Sequence, residues 1–190
     1  MDIFTAFGLS ASAGLNAYIP LLVVALLGKF TNLITLNAPW DALESWWVIS
    51  VLVVLSLVEF FADKIPAINH ANDIIQTFVR PAAGAIVFAA SAQIITNIHP
   101  VLAIILGVLM AGAVHTVKSL LVRPAVTATT GGVANVPVSI AEDTLSTILS
   151  FISAVLPVLV AVILILAALL TTYWLWRRSR RQKEVYRTRS

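Results

Sequence analysis

The chain has 190 residues, 59% of them hydrophobic and 11% charged, with a mean hydropathy of +0.97. A soluble domain carries about 25% charged residues, so too little charge is present to cover a water-facing surface. With no cysteine, disulfides, thiol catalysis and cysteine metal sites are excluded.

Several apolar runs reach the ~18–20 residues needed to cross ~30 Å of hydrocarbon, which predicts an all-α, polytopic membrane helix bundle. The start, "MDIFTAFG", has no basic n-region and does not read as a secretory signal. Span 1 covers about Ile3 to Leu27, and Gly8, Gly14, Asn16 and Pro20 predict a broken first helix. Trp40, Trp46 and Trp47 in the following loop suit a membrane interface. Span 2 covers about Trp47 to Ala62. Ile68 to Val79 reads as a short surface helix, span 3 as Ala82 to Ile95, and span 4 as Val101 to Leu121. The turn formers after Arg123 predict a re-entrant or unwound segment near residues 124–137. From Val138 to Trp176 the chain is apolar, interrupted at Pro157, and long enough for two crossings. Lys64, Arg80, Lys118, Arg123 and the basic tail share one face if that stretch crosses and returns. This favours six transmembrane helices over five, with both termini cytoplasmic. The expected organisation is one transmembrane domain, 1–176, and a basic cytoplasmic tail, 177–190.

Charges inside such a bundle are costly and mark candidate chemistry. Glu59 and Asp63 lie one helical turn apart, with Lys64 adjacent. Glu142 and Asp143 share a polar stripe with Ser139, Ser146, Ser150 and Ser153, which should face helices or water rather than lipid. Asn16, Glu59, Asp63, Asn135, Glu142 and Asp143 are candidates to line an ion or solute pathway. Lys64, Arg80 and Arg123 are candidates for charge balance or anion contact, with interface anchors and salt bridges as the alternative. Gly107, Ala111, His115 and Ser119 recur every four residues, and His115 is either a proton relay or a hydrogen-bonded packing residue. The three histidines show no metal-ligand spacing. No G-x-S-x-G, H-E-x-x-H, Walker loop or dinucleotide fingerprint is present. Neither an enzyme nor a cofactor is expected.

"GLSASAGLNAYIPLL", "VEFFADKIP", "HANDIIQTFVRPAAGA" and "TTGGVANVPVSIAED", in this order, resemble a family of bacterial integral membrane proteins of unknown function. The resemblance covers nearly the whole chain and implies a bacterial inner membrane location, but no activity. Small cation–proton exchangers carry an acidic residue followed by Gly-Asp-Lys. Glu59 and Asp63-Lys64 are similar, with Ala62 in place of the glycine and one extra residue of spacing, which slightly favours a cation.

The expected function is a small secondary transporter or channel for an ion or small polar solute, proton-coupled, with a polar vestibule on the cytoplasmic side. The alternative is a non-catalytic membrane scaffold with paired charges and an exposed small-residue face for a protein partner. The expected surroundings are the lipid bilayer and no nucleic acid, and a homo-oligomer fits either reading.

Overall fold

The computed structural model describes residues 3–64, 66–92, 98–157, 159, 162–163, 165–173 and 176–177, with residues 66–71 and 73 described by their backbone only. The basic tail lies outside the described residues except for Arg177. The described residues form seven α-helices and no strand. These are α1 (Ile3–Leu15), α2 (Tyr18–Phe30), α3 (Trp46–Ala62), α4 (Pro66–Ala92), α5 (Pro100–Val117), α6 (Arg123–Thr130) and α7 (Asn135–Val155). A π turn, Lys118–Val122, joins α5 to α6 without a gap.

Helix α1 is the axis of the bundle. Nine of its thirteen residues are buried, and eight of those nine are Gly, Ala, Ser or Thr. Small side chains let neighbouring backbones come close. A Cβ on Gly14 would meet the Ala111 carbonyl of α5 at 2.6 Å. A Cβ on Gly107 would lie 2.7 Å from Ala85 Cα of α4. Ser10 Oγ donates to the Gly84 carbonyl at 2.9 Å. Ser12 Oγ lies 2.8 Å from Ser146 Oγ and 2.7 Å from Ser150 Oγ of α7. The serine stripe of α7 therefore packs on α1, with Ser139, Ser146, Ser150 and Ser153 all buried.

The outside has the opposite character. Val54, Leu57 and Phe61 of α3, Leu109 of α5, and Leu145 and Ile148 of α7 are all at least half exposed. Polar and small groups inside, with large apolar groups outside, suit a lipid solvent. Three helical stretches, Ile74–Ala92, Pro100–Thr130 and Asn135–Val155, are long and apolar enough to cross a membrane.

Three expectations change. The broken first span is a helical hairpin. Leu9 and Ala13 of α1 share a core with Leu21, Val24 and Ala25 of α2. Trp40, ten residues after α2, packs against the buried cluster of Ala6, Phe88, Ala89, Ala92 and Ala103, as do Ile3 and Phe7 at the start of α1. Helix α2 therefore doubles back, because Asn16 ends α1 and caps the next helix rather than merely bending one. The expected surface helix before span 3 is the first half of α4, which runs through Pro81. Losing one backbone donor there does not stop a helix that packs against α1 and α5. The segment near residues 124–137 is mostly helical, with its turn confined to residues 131–134. The π turn shifts the backbone bonding ahead of Pro124, with Arg123 N–H donating to the Lys118 carbonyl. Gly131 and Gly132 supply positive φ values of 62° and 89° for the turn itself.

At the other end, α7 stops at Leu156, and helical backbone resumes from Pro157. The loop after α2 and the starts of α1 and α5 lie at one end of the bundle, here termed the loop end. Glu59, Lys118 and Glu142 lie toward the other, the charged end.

Glycine at the α4–α5 crossing is a steric requirement. Gly107→Ala should destabilise the detergent-solubilised protein by about 2 kcal/mol or more, the cost of overpacking. Gly112→Ala should be neutral or stabilising, since its added Cβ meets nothing closer than Pro81 Cγ at 3.9 Å. Thermal denaturation monitored by size-exclusion chromatography checks both.

Candidate functional site

The tip of the α1–α2 hairpin sits inside the bundle, where its unpaired backbone groups need partners. Asn16 Oδ1 accepts from the Tyr18 and Ile19 amides, both at 3.1 Å. The Ala17 amide donates to Glu59 Oε2 at 3.3 Å. The fourth residue, Pro20, has no N–H to satisfy. At the end of α1, Lys118 Nζ donates to the Leu15 carbonyl at 3.0 Å. A carboxylate thus faces the positive end of α2, and an ammonium faces the negative end of α1.

Each of these charges is buried and needs a counter-charge. Arg80 Nη2 donates to Glu59 Oε1 at 2.9 Å, with the two side chains 0% and 1% exposed. Arg80 Nη1 lies 3.1 Å from His115 Nδ1. Guanidinium has no acceptor, so His115 Nδ1 accepts and Nε2–H faces Thr77 Oγ1 at 3.3 Å. Lys118 Nζ pairs with Glu142 Oε2 at 2.7 Å. Arg123 Nη2 bridges Asp63 Oδ2 at 3.0 Å and Glu142 Oε2 at 3.4 Å. Asp63 also accepts from Asn72 Nδ2 at 2.7 Å and faces Arg80 at 3.8 Å. Lys64 and Asp143 form a rim pair at 3.5 Å, exposed by 16% and 13%. Asn16 Nδ2 holds the other oxygen of Asp143 at 3.0 Å.

The network joins nearly every sequence candidate: Asn16, Glu59, Asp63, Lys64, Arg80, His115, Arg123, Glu142 and Asp143. Asn135 is the exception. It exchanges hydrogen bonds with Thr127 across the α6–α7 turn, where Nδ2 donates at 3.1 Å. These bonds brace the turn, outside the ion-pair network. The charged residues expected to line a vestibule are paired with one another. Among the described residues, no group of three His, Cys, Asp or Glu side chains is arranged to hold a metal ion.

Lys118, Asn72 and Gln76 were not among the sequence candidates. Lys118 was hidden by the four-residue row that points from His115 to Ser119. Inside the bundle the buried row passes from His115 to Lys118 instead. The π turn then sets residues five apart on one face, so Lys118 and Arg123 reach the same two carboxylates.

Arg80→Met should cost about 3–5 kcal/mol, because it strands a buried carboxylate. Lys64→Met should cost about 1 kcal/mol or less, since the rim pair is partly exposed and Lys64 Nζ mainly returns to its own helix at the Phe60 carbonyl. Thermal melting of the purified variants separates the two.

No curated protein and no solved structure matches the chain. A family pattern described as a domain of unknown function, DUF4126, matches residues 3–178. The chain therefore belongs to the DUF4126 family.

Proposed function

We propose that this protein is a small multi-pass secondary transporter or channel of a bacterial inner membrane. It moves an ion or small polar solute, coupled to protons, through the charged end of the bundle. The observation that carries this reading is the hairpin tip, where two helix ends and a charged network meet inside an apolar shell. Discontinuous helices with termini pointing at buried polar groups are a recurrent way to build a solute site near the bilayer midplane. The ion pairs in this arrangement close the path. Exchange of partners at Asp63, which lies within 4.0 Å of Arg80, Lys118 and Arg123, would open it.

The basic residues put the charged end in the cytoplasm by the positive-inside rule. With α1–α2 as a re-entrant hairpin, α3, α4, α5–α6, α7 and the apolar segment after Pro157 make five crossings. The basic loops and the tail then share one face, and the start of α1 lies on the opposite one. This reading has five crossings where the sequence alone favours six with both termini cytoplasmic.

A scaffold role has one observation in its favour, the pairing of the buried charges. Its other expectation was an outward face of small residues. Gly14, Gly84, Gly107 and Ala111 are instead spent on internal helix crossings. A homo-oligomer remains compatible with both readings.

Glu59→Gln tests the transport reading. Glutamine keeps an acceptor for the Ala17 amide and for Arg80, whose charge still faces Asp63 at 3.8 Å, so the variant should insert at some cost in stability, which thermal melting measures beside the flux. Proteoliposomes should be assayed for proton, rubidium, urea and glycerol flux. Whichever flux the wild type supports should vanish in Glu59→Gln. Undiminished flux in that variant would remove Glu59 from the pathway, and co-purification of one stoichiometric protein partner without any flux would favour the scaffold.

A further inference from the structure

Among the described residues, Arg80 Nε and Gln76 Oε1, on the α4 side of the ion-pair network, are buried without a hydrogen-bond partner. Their residues are 0% and 2% exposed. They lie one turn apart on α4, so they share a face. One is a donor and the other an acceptor. Leaving such groups buried and unpaired is costly, and native proteins rarely do so without a use for them.

Arg80 Nη1 and Nη2 are held by His115 and Glu59. The Gln76 side chain lies beside the Tyr18 hydroxyl at the start of α2. Glu59, 2.9 Å from Arg80, neutralises its charge locally. Gln76 and Tyr18 carry no charge at neutral pH. Arg80 Nε–H and Gln76 Oε1 are thus the atoms of these two side chains with no partner among the described residues, and they lie in an electrically balanced corner.

We propose that Arg80 Nε and Gln76 Oε1 form a binding site for a small neutral solute that carries both a hydrogen-bond acceptor and a donor. The solute accepts from Arg80 Nε–H and donates to Gln76 Oε1. A net cation would face the Arg80 guanidinium, and a net anion would have to displace Glu59 from it. This site rests on the transport reading and names its substrate class, a neutral polar solute rather than the cation that the exchanger likeness favours. It also lies against Glu59 and the hairpin tip, so occupancy of the site and exchange of the ion pairs can be linked.

The test uses the full chain in phosphatidylethanolamine–phosphatidylglycerol vesicles. Urea and glycerol entry are read by stopped-flow light scattering, and proton and rubidium flux are read in parallel. The wild type should admit urea or glycerol faster than protein-free vesicles. Gln76→Leu should cut that protein-dependent rate roughly tenfold, the effect of one lost hydrogen bond to a buried partner. Gln76→Asn keeps the chemistry but shortens the reach, so it should fall in between and serves if Gln76→Leu does not fold. Urea or glycerol flux unchanged in either folded variant overturns the site. Proton or rubidium flux without urea or glycerol flux overturns the neutral-solute assignment and leaves the transport reading standing. Absence of all four fluxes overturns both.

Discussion

Everything near the centre of this bundle follows from one constraint, that a helix cannot end inside an apolar environment with its backbone unpaired. The chain reverses at Asn16 and Ala17 and leaves amides at one helix start and a carbonyl at another helix end. Asn16 supplies a neutral cap, Glu59 takes the Ala17 amide, and Lys118 takes the Leu15 carbonyl. Each unsatisfied group would cost several kcal/mol in hydrocarbon. Using charges for this duty raises a second cost, because a buried ion without a partner is destabilising by several kcal/mol as well. Glu59 therefore brings in Arg80, and Lys118 brings in Glu142. Arg123 and Asp63 then close the chain of pairs.

The network is more elaborate than capping alone requires. Neutral caps of the Asn16 kind would suffice, and apolar residues packed in place of buried ion pairs often stabilise a protein. A bundle that keeps these charges retains a set of contacts that can be rearranged. Asp63 faces three cations, one at 3.0 Å and two at 3.8–4.0 Å. Partner exchange there changes distances by small amounts while no charge is left alone. The rigid part of the molecule is the α1–α4–α5 crossing, where Gly14, Gly84 and Gly107 bring backbones into contact. At the charged end longer side chains meet beside the π turn.

Much of this was legible in the sequence. The depth of Glu59 within an apolar run marked it as buried, and the three- and four-residue spacing of the α7 serines marked a face that avoids lipid. Turn formers around Asn16 located the chain break. Its geometry was not legible, because a kinked span and a hairpin share the same apolar flanks, and they are separated by packing, with Trp40, Ile3 and Phe7 all against one buried cluster. Lys118 was obscured by the π turn, which local sequence does not encode apart from Pro124 downstream. The position of Asn135 apart from the network was not legible, because an asparagine next to paired glycines serves a turn as readily as a site, and its partner Thr127 lies across that turn. Pro81 looked like a boundary, but tertiary packing on both sides of α4 overrides a single missing backbone bond.

The reversal at Asn16–Ala17 is the claim on which the rest depends, and the absence of cysteine makes it directly measurable. Single-cysteine variants Phe4→Cys, Thr35→Cys and Thr129→Cys place one thiol at the start of α1, one in the loop after α2 and one at the charged end. All three positions are exposed. Each would be labelled with a membrane-impermeant thiol reagent in right-side-out and inverted vesicles. The hairpin predicts that Phe4→Cys and Thr35→Cys label from the same side and Thr129→Cys from the other. If Phe4→Cys instead labels together with Thr129→Cys, α1 and α2 form one crossing, and the capped hairpin tip with its ion-pair network is wrong.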